Sequence, residues 1–133
     1  MRYLVDTNHL SDAIDKVSVL RDRIRQMRRQ GHRFGTCWPV LFELEMGMVQ
    51  TKDPEACRRN LRILMKEVRL RPLDWDLMPV FGQIHLRLKR EGRALSFVDK
   101  LLAALAQHEN ATVLTTDADF QALPEIRTEN WLP

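Results

Sequence analysis

The chain has 133 residues, of which 44% are hydrophobic and 29% charged, and its formal net charge is +3. This composition is ordinary for a soluble globular protein, and the length predicts one domain at 1–133. No apolar run approaches the roughly 20 residues of a membrane span, and Asp6 interrupts the first apolar run too early for a secretory signal. Cys37 and Cys57 have no C-x-x-C or histidine partner nearby, which indicates free thiols and a cytoplasmic protein.

Strands and helices are predicted to alternate along the chain, from the spacing of apolar residues and from capping residues such as Ser96. The predicted elements are a strand at 3–5, helices at 9–15 and 18–30, a strand at 34–37, helices at 39–49 and 54–66, a strand at 68–73, a helix at 77–90, a helix beginning after Ser96, and strands at 112–115 and 126–129. Strands separated by helices favour an α/β fold, a three-layer α/β/α sandwich with a mostly parallel central sheet.

Charge is distributed unevenly along this chain. Residues 20–93 contain 17 Lys and Arg against 9 Asp and Glu, whereas the two ends together contain 4 against 9. A basic middle indicates a polyanionic partner, and acidic ends indicate cation binding.

Four acidic residues are predicted to meet at one edge of the sheet. Asp6 ends the first strand and Asp117 follows a later one. Glu43 and Asp99 lie early in helices that follow the second strand and Ser96. Ligands of parallel sheets bind outside the carboxyl ends of the strands, where all four would lie. Each acid alone also has a structural interpretation: an Asx-turn at Asp6, a solvated helix residue at Glu43, a capping box of Ser96 with Asp99, and a turn at Asp117.

A cluster of carboxylates calls for a cation. Two carboxylates about 5 Å apart repel by roughly 3 kcal/mol at an effective dielectric constant near 20. Oxygen ligands without His or Cys favour Mg²⁺, with Mn²⁺ as an alternative, over Zn²⁺. The chemistry typical of such a site is phosphodiester hydrolysis by activated water.

Four segments, in order along essentially the whole chain, carry a resemblance to a known family. They are Tyr3–Asn8, Pro39–Gly47, Gly92 with Phe97–Ala104, and Val113–Phe120 with Glu129–Trp131. Together they resemble the PIN-domain family, specifically the toxin ribonucleases of VapBC toxin–antitoxin pairs. Lys100 is bulkier, and Trp38 less polar, than the family pattern leads us to expect at those positions.

The resemblance implies a Mg²⁺-dependent endoribonuclease, the toxin of a type II toxin–antitoxin pair. It implies metal ligation by Asp6, Glu43, Asp99 and Asp117, with Asp119 as a weaker candidate. Its implied partners are RNA, a VapB-type antitoxin that covers the site, and a second copy of the chain in a homodimer. Groups that would orient the carboxylates or water are the hydroxyls of Thr7, Thr115 and Thr116 and the amide of Asn8.

Arginines of the second helix form a candidate RNA-binding face: Arg21, Arg25, Arg28 and Arg29, with Arg33, Arg58, Arg59 and Arg62 nearby. A solvated helix face explains them equally well.

Two other functions compete with the nuclease. A haloacid-dehalogenase-like phosphatase would also use Mg²⁺ and an Asp at the end of the first strand. It needs a second Asp two residues later for proton transfer, where this chain has Asn8. A non-catalytic PIN-fold module that binds RNA or protein is the other alternative.

Overall fold

A computed structural model describes residues 1–133. It contains five strands, six α-helices and one 3-10 helix. In chain order they are β1 (Arg2–Val5), α1 (Thr7–Ala13), α2 (Val19–Arg29), β2 (Arg33–Thr36), α3 (Trp38–Met48), α4 (Pro54–Leu64), β3 (Arg69–Leu70), α5 (Leu77–Arg90), α6 (Phe97–Glu109), β4 (Thr112–Leu114), the 3-10 helix (Ala118–Ala122) and β5 (Thr128–Glu129). No helix has the length and apolar character needed to cross a membrane.

The strands form one sheet in the order β3-β2-β1-β4-β5, and every pairing is parallel. Helices α1 to α4 connect strands that step from β1 towards β3, whereas α5 and α6 lead back across the sheet to β4. Right-handed crossovers in these two directions put the helices on opposite faces. The predicted three-layer α/β/α architecture is confirmed.

Capping side chains fix where several helices begin. Ser18, Asp53 and Ser96 each accept a hydrogen bond from the backbone N–H three residues later, at 3.1 Å in all three cases. Each bond satisfies a donor that the first turn would leave unpaired. Helix α1 begins at Thr7, two residues earlier than predicted, because Asp6 itself is the N-cap.

The sheet is anchored near its carboxyl edge by buried contacts. Val5 and Leu114 are fully buried, and Thr36 at the end of β2 donates its hydroxyl to the Val5 carbonyl at 2.9 Å. Leu102 and Ala103 of α6 are also fully buried. These contacts hold fixed the edge from which the acidic residues project.

The edge strands are shorter than predicted. β3 covers only two residues, 69–70, of the predicted 68–73. Pro72 has no N–H to donate to a neighbouring strand, which ends the pairing soon after Leu70. β5 likewise occupies only 128–129 of the predicted 126–129.

Candidate metal centre

Asp6 projects from the end of β1, and hydrogen bonds fix both of its carboxylate oxygens. Oδ1 accepts the Thr7 backbone N–H at 2.7 Å, and Oδ2 accepts the Thr115 hydroxyl at 2.8 Å. The Asp6 backbone N–H continues the pairing with β4 by donating to the Leu114 carbonyl at 3.0 Å. These hydrogen bonds therefore fix the buried Asp6 carboxylate at the carboxyl edge of the sheet.

Asp99 and Asp117 lie against this carboxylate. Asp99 is in the first turn of α6 and is only 8% exposed. Its pKa is raised from 3.8 to about 7, chiefly because burial removes water and then because the Asp6 charge is close. A hydrogen bond with Asp117 raises the pKa further, while a bond from Ser96 lowers it. Three aspartates from separate parts of the chain thus come together.

The backbone around Asp117 ties it to the same group. Its N–H donates to the Thr115 hydroxyl oxygen at 3.0 Å, so one threonine links Asp6 and Asp117. Asp117 also caps the 3-10 helix by accepting the Asp119 N–H at 2.8 Å. The Asp119 side chain is exposed, and only its backbone takes part in this arrangement.

Glu43 is connected to the residue that follows Asp6 by a hydrogen bond. Its Oε1 accepts the Thr7 hydroxyl at 2.8 Å, which connects α3 to the first turn after β1. Asn8 and Thr116 bond to each other at 2.7 Å, and neither bonds to a carboxylate.

Cys37 is a neighbour of the site that sequence reasoning missed. It is fully buried directly before α3, and its pKa is raised to about 11 by burial, with smaller contributions from Asp6 and Glu43. The available signal was its position at the end of β2, on the same edge as the acids.

A second neighbour, His9, holds the end of the chain against α1. The Trp131 backbone N–H donates to His9 Nε2 at 3.0 Å, and burial lowers the histidine pKa. The Trp131 ring packs edge-on against Tyr3 at a centroid distance of 5.0 Å and lies 3.7 Å from the Arg23 guanidinium. These contacts hold Trp131 against β1 and against α1, the helix that follows Asp6.

The donor set fits a hard divalent cation but is not a preformed cage. No group of three or more His, Cys, Asp or Glu side chains has the geometry to hold a metal ion. Mg²⁺ does not require one, because it keeps several waters and commonly binds one or two carboxylates directly. The three aspartates supply oxygen donors only, and the raised Asp99 pKa reflects its burial first and the neighbouring Asp6 charge second.

Lys100, which directly follows Asp99, does not neutralise the site. Its amine donates to His85 Nδ1 at 3.0 Å and lies 5.8 Å from the centre of the Phe81 ring.

One predicted RNA-binding residue is placed wrongly. Arg21 is only 5% exposed, and its Nε has no hydrogen-bond partner. It is adjacent to Leu20 and one turn before Ile24, so it falls on the buried side of α2 despite its charge. Of the other three, Arg25 and Arg28 pair with Glu67 at 3.6 and 2.9 Å, and Arg29 is exposed.

Known proteins match this chain over nearly its full length, in sequence and in structure. Ribonuclease VapC2 of Rickettsia felis is 26% identical over 132 residues, and tRNA(fMet)-specific endonuclease VapC of Shigella flexneri is 29% identical over 136. Each alignment covers 98% of both chains. Among solved structures, VapBC2 from Rickettsia felis bound to a promoter DNA fragment superimposes with a TM-score of 0.86 at 25% identity, covering 99% of this chain and 100% of that one.

A further solved structure, DNA-bound VapBC from Salmonella typhimurium, gives a TM-score of 0.84 at 23% identity and covers 99% of each chain. The sequence model of the PIN domain matches residues 3–126. The resemblance carried by the four sequence segments is thus confirmed, and the chain belongs to the PIN domain family.

Proposed function

We propose that this chain is a Mg²⁺-dependent endoribonuclease and the toxin of a type II toxin–antitoxin pair. The observation that carries the proposal is the convergence of Asp6, Asp99 and Asp117 at the carboxyl edge of the sheet, where burial, and then the neighbouring Asp6 charge, raise the Asp99 pKa to about 7. Strongly shifted pKa values of this kind are concentrated at functional sites. Mn²⁺ is the alternative ion, since it takes the same oxygen donors.

The relatives support the reaction and the partner. Those from Rickettsia felis and Shigella flexneri are named a ribonuclease and a tRNA(fMet)-specific endonuclease. The solved neighbours include VapBC complexes, which supports a VapB-type antitoxin as the partner of this chain. The family resemblance is also the basis for proposing a homodimer and a cytoplasmic location.

The chain's own residues divide the work of the reaction. Asp6, Asp99 and Asp117 would hold the ion, and Glu43 would hold or orient water from α3. Mg²⁺ at this place supplies polarisation of the phosphodiester and a lower pKa for water near it. The Thr115 hydroxyl keeps the Asp6 carboxylate at a fixed angle, and the Thr7 hydroxyl does the same for Glu43.

Burial adds to this arrangement. Asp6 and Asp99 are buried, so their electrostatic attraction for a cation is stronger than at an exposed surface. Because the carboxylates are already held by hydrogen bonds, little reorganisation is needed when substrate arrives.

The competing phosphatase lacks a residue it needs. The position of its general acid is Asn8, whose amide donates to Thr116 and carries no titratable proton. A non-catalytic binding module is favoured by one observation, the absence of a preformed three-donor metal group. It stays the second candidate.

Cleavage of total cellular RNA by the purified, antitoxin-free chain separates the two candidates. We expect cleavage with Mg²⁺ or Mn²⁺ and none in EDTA. Asp6→Asn is expected to abolish cleavage without unfolding the protein, because the amide keeps the shape but not the charge. Asp22→Asn, a matched change on the exposed side of α2, should cleave normally. RNA binding without cleavage under either metal would instead favour the binding module.

A further inference from the structure

Helix α3 is apolar on two sides. Its inward side contributes buried core residues: Val40, Leu41, Leu44 and Met48. Its outward side carries large apolar residues as well, and a helix that is apolar all round is normally covered all round. The rest of this chain covers only the inward side of α3.

Four exposed residues form the outward side, which we call the α3 stripe. Trp38, Phe42, Met46 and Val49 are 56%, 65%, 62% and 55% exposed. Steps of four, four and three residues keep them on one side of the helix. The Trp38 and Phe42 ring centroids lie 6.1 Å apart, so the apolar surface is continuous at this end. A contiguous exposed patch of this kind marks an interaction surface, whereas scattered apolar residues do not.

The charged residues of α3 are engaged elsewhere. Glu45 is paired with Arg58, whose Nε lies 2.6 Å from Glu45 Oε1. Glu43 accepts the Thr7 hydroxyl at the acidic site. A strongly charged partner would therefore find no countercharge on the stripe itself. A second copy of the same apolar surface needs none, because a two-fold interface brings one patch onto its own equivalent.

Side-chain size falls along the α3 stripe, from tryptophan through phenylalanine and methionine to valine. With two α3 helices antiparallel, Trp38 lies opposite Val49 of the second copy, and Phe42 lies opposite its Met46. Each large side chain then meets a smaller one, and the methionine sulfur meets an aromatic ring. Parallel helices would place Trp38 on Trp38 and Val49 on Val49, with one end crowded and the other empty.

The area of the α3 stripe also suits a dimer. Covered aromatic side chains bury about 150–250 Å² each, so Trp38 and Phe42 at their exposure offer roughly 250 Å² together. Met46 and Val49 bring the stripe to roughly 450 Å², the size of the largest apolar patch on a typical monomer. A standard interface buries about 800 Å² on each partner, somewhat more than half of it apolar. The stripe therefore supplies the apolar part of one such interface.

We infer that a second copy of this chain covers the α3 stripe, with the two α3 helices antiparallel about a two-fold axis near Glu43 and Leu44. The inference rests on the homodimer of the proposed function and supplies its interface. Glu43 lies about 100° around the helix from Phe42, beside the stripe. A two-fold axis between antiparallel helices puts Glu43 on the same side in both copies, so the two acidic sites open on one side of the dimer.

Sedimentation velocity of the purified, antitoxin-free chain, without RNA, tests the interface. We expect the wild type to have twice the 15.7 kDa mass of one chain. Phe42→Glu is expected to weaken dimerisation by about 100-fold or more, because it buries an unpaired charge at the centre of an apolar interface. Met46→Lys should do the same. Phe97→Glu is the matched control, at a 62% exposed phenylalanine of α6 on the other face of the sheet, and should stay dimeric.

Mixing the two variants tests the antiparallel arrangement. Glutamate at position 42 of one copy then faces lysine at position 46 of the other, and the remaining Met46 and Phe42 form the original pair. We expect the equimolar mixture of Phe42→Glu and Met46→Lys to recover the dimer. In a parallel dimer the new charges would not meet, and the mixture would stay monomeric. Recovery also shows that both variants are folded.

Several results would overturn the inference. A wild type that is monomeric at every concentration would leave the α3 stripe to another protein. A Phe42→Glu variant that stays dimeric, or a Phe97→Glu variant that dissociates equally, would move the interface away from α3. Monomers in the mixture would refute the antiparallel pairing. None of these measurements uses RNA or metal, so a failed interface leaves the ribonuclease standing, and an intact dimer that does not cleave refutes the ribonuclease alone.

Discussion

Replacing Asp99 with asparagine should make the metal-free protein more stable, and by an amount that depends on pH. The Asp99 pKa is about 7 in the folded chain, against its ordinary value of 3.8. Between these values the folded state holds a proton that the unfolded state has released. The free energy of unfolding therefore falls as the pH rises from about 4 to 7, and the loss is complete above that range.

The size of this loss follows from the shift. Three pKa units correspond to at most about 4 kcal/mol, at 1.36 kcal/mol per unit. The asparagine side chain cannot ionise, so the Asp99→Asn protein keeps this stability at pH 8. In a domain of this length the change corresponds to a rise in melting temperature of roughly 10 °C.

The assay is thermal unfolding of wild type and Asp99→Asn in EDTA at pH 4.5 and pH 8. We expect similar melting temperatures at pH 4.5 and a clear separation at pH 8. Adding Mg²⁺ at pH 8 should raise the wild-type value and leave the variant nearly unchanged, since the ion offsets a repulsion that the variant lacks. Equal pH dependence in the two proteins would refute the raised pKa of Asp99 in the folded protein.

Three further changes test the surroundings of the site by urea unfolding. Thr115→Val removes the hydroxyl that donates to Asp6, so it should lower the free energy of unfolding by about 1–3 kcal/mol and reduce cleavage. Thr115→Ser should restore both stability and cleavage. Normal cleavage by the valine variant would show that Thr115 is not part of the site. Leu102→Ala opens a cavity under α6 and should cost about 2–5 kcal/mol, whereas a loss below this range would mean that the helix repacks. Trp131→Ala removes the ring beneath Arg23 and should lower the free energy of unfolding by about 2 kcal/mol. An unchanged urea midpoint would show that the Trp131 contacts do not stabilise the fold.

Local signals in the sequence predicted much of the fold. The helix at 77–90 has the predicted bounds, and Ser96 caps a helix as expected. Capping and helical spacing depend on residues three or four positions apart, which a sequence displays directly. The lengths of β3 and β5 depend instead on how distant strands pair, and there the prediction was too long.

The acidic site was predictable in outline for a topological reason. Parallel strands bring their carboxyl ends to one edge, so Asp6 and Asp117 had to approach each other once the sheet was parallel. The burial of Arg21 was not predictable from charge, because its place on α2 beside Leu20 and Ile24 outweighs its polarity.

The two cysteines differ in burial, and this difference allows one of them to be labelled selectively. The Cys37 thiol is fully buried with a pKa of about 11, so at pH 8 only about one molecule in a thousand carries the reactive thiolate. Cys57 is partly exposed on α4. A maleimide fluorophore would therefore attach to Cys57 alone in the unmodified sequence, and it would report on binding events near α4.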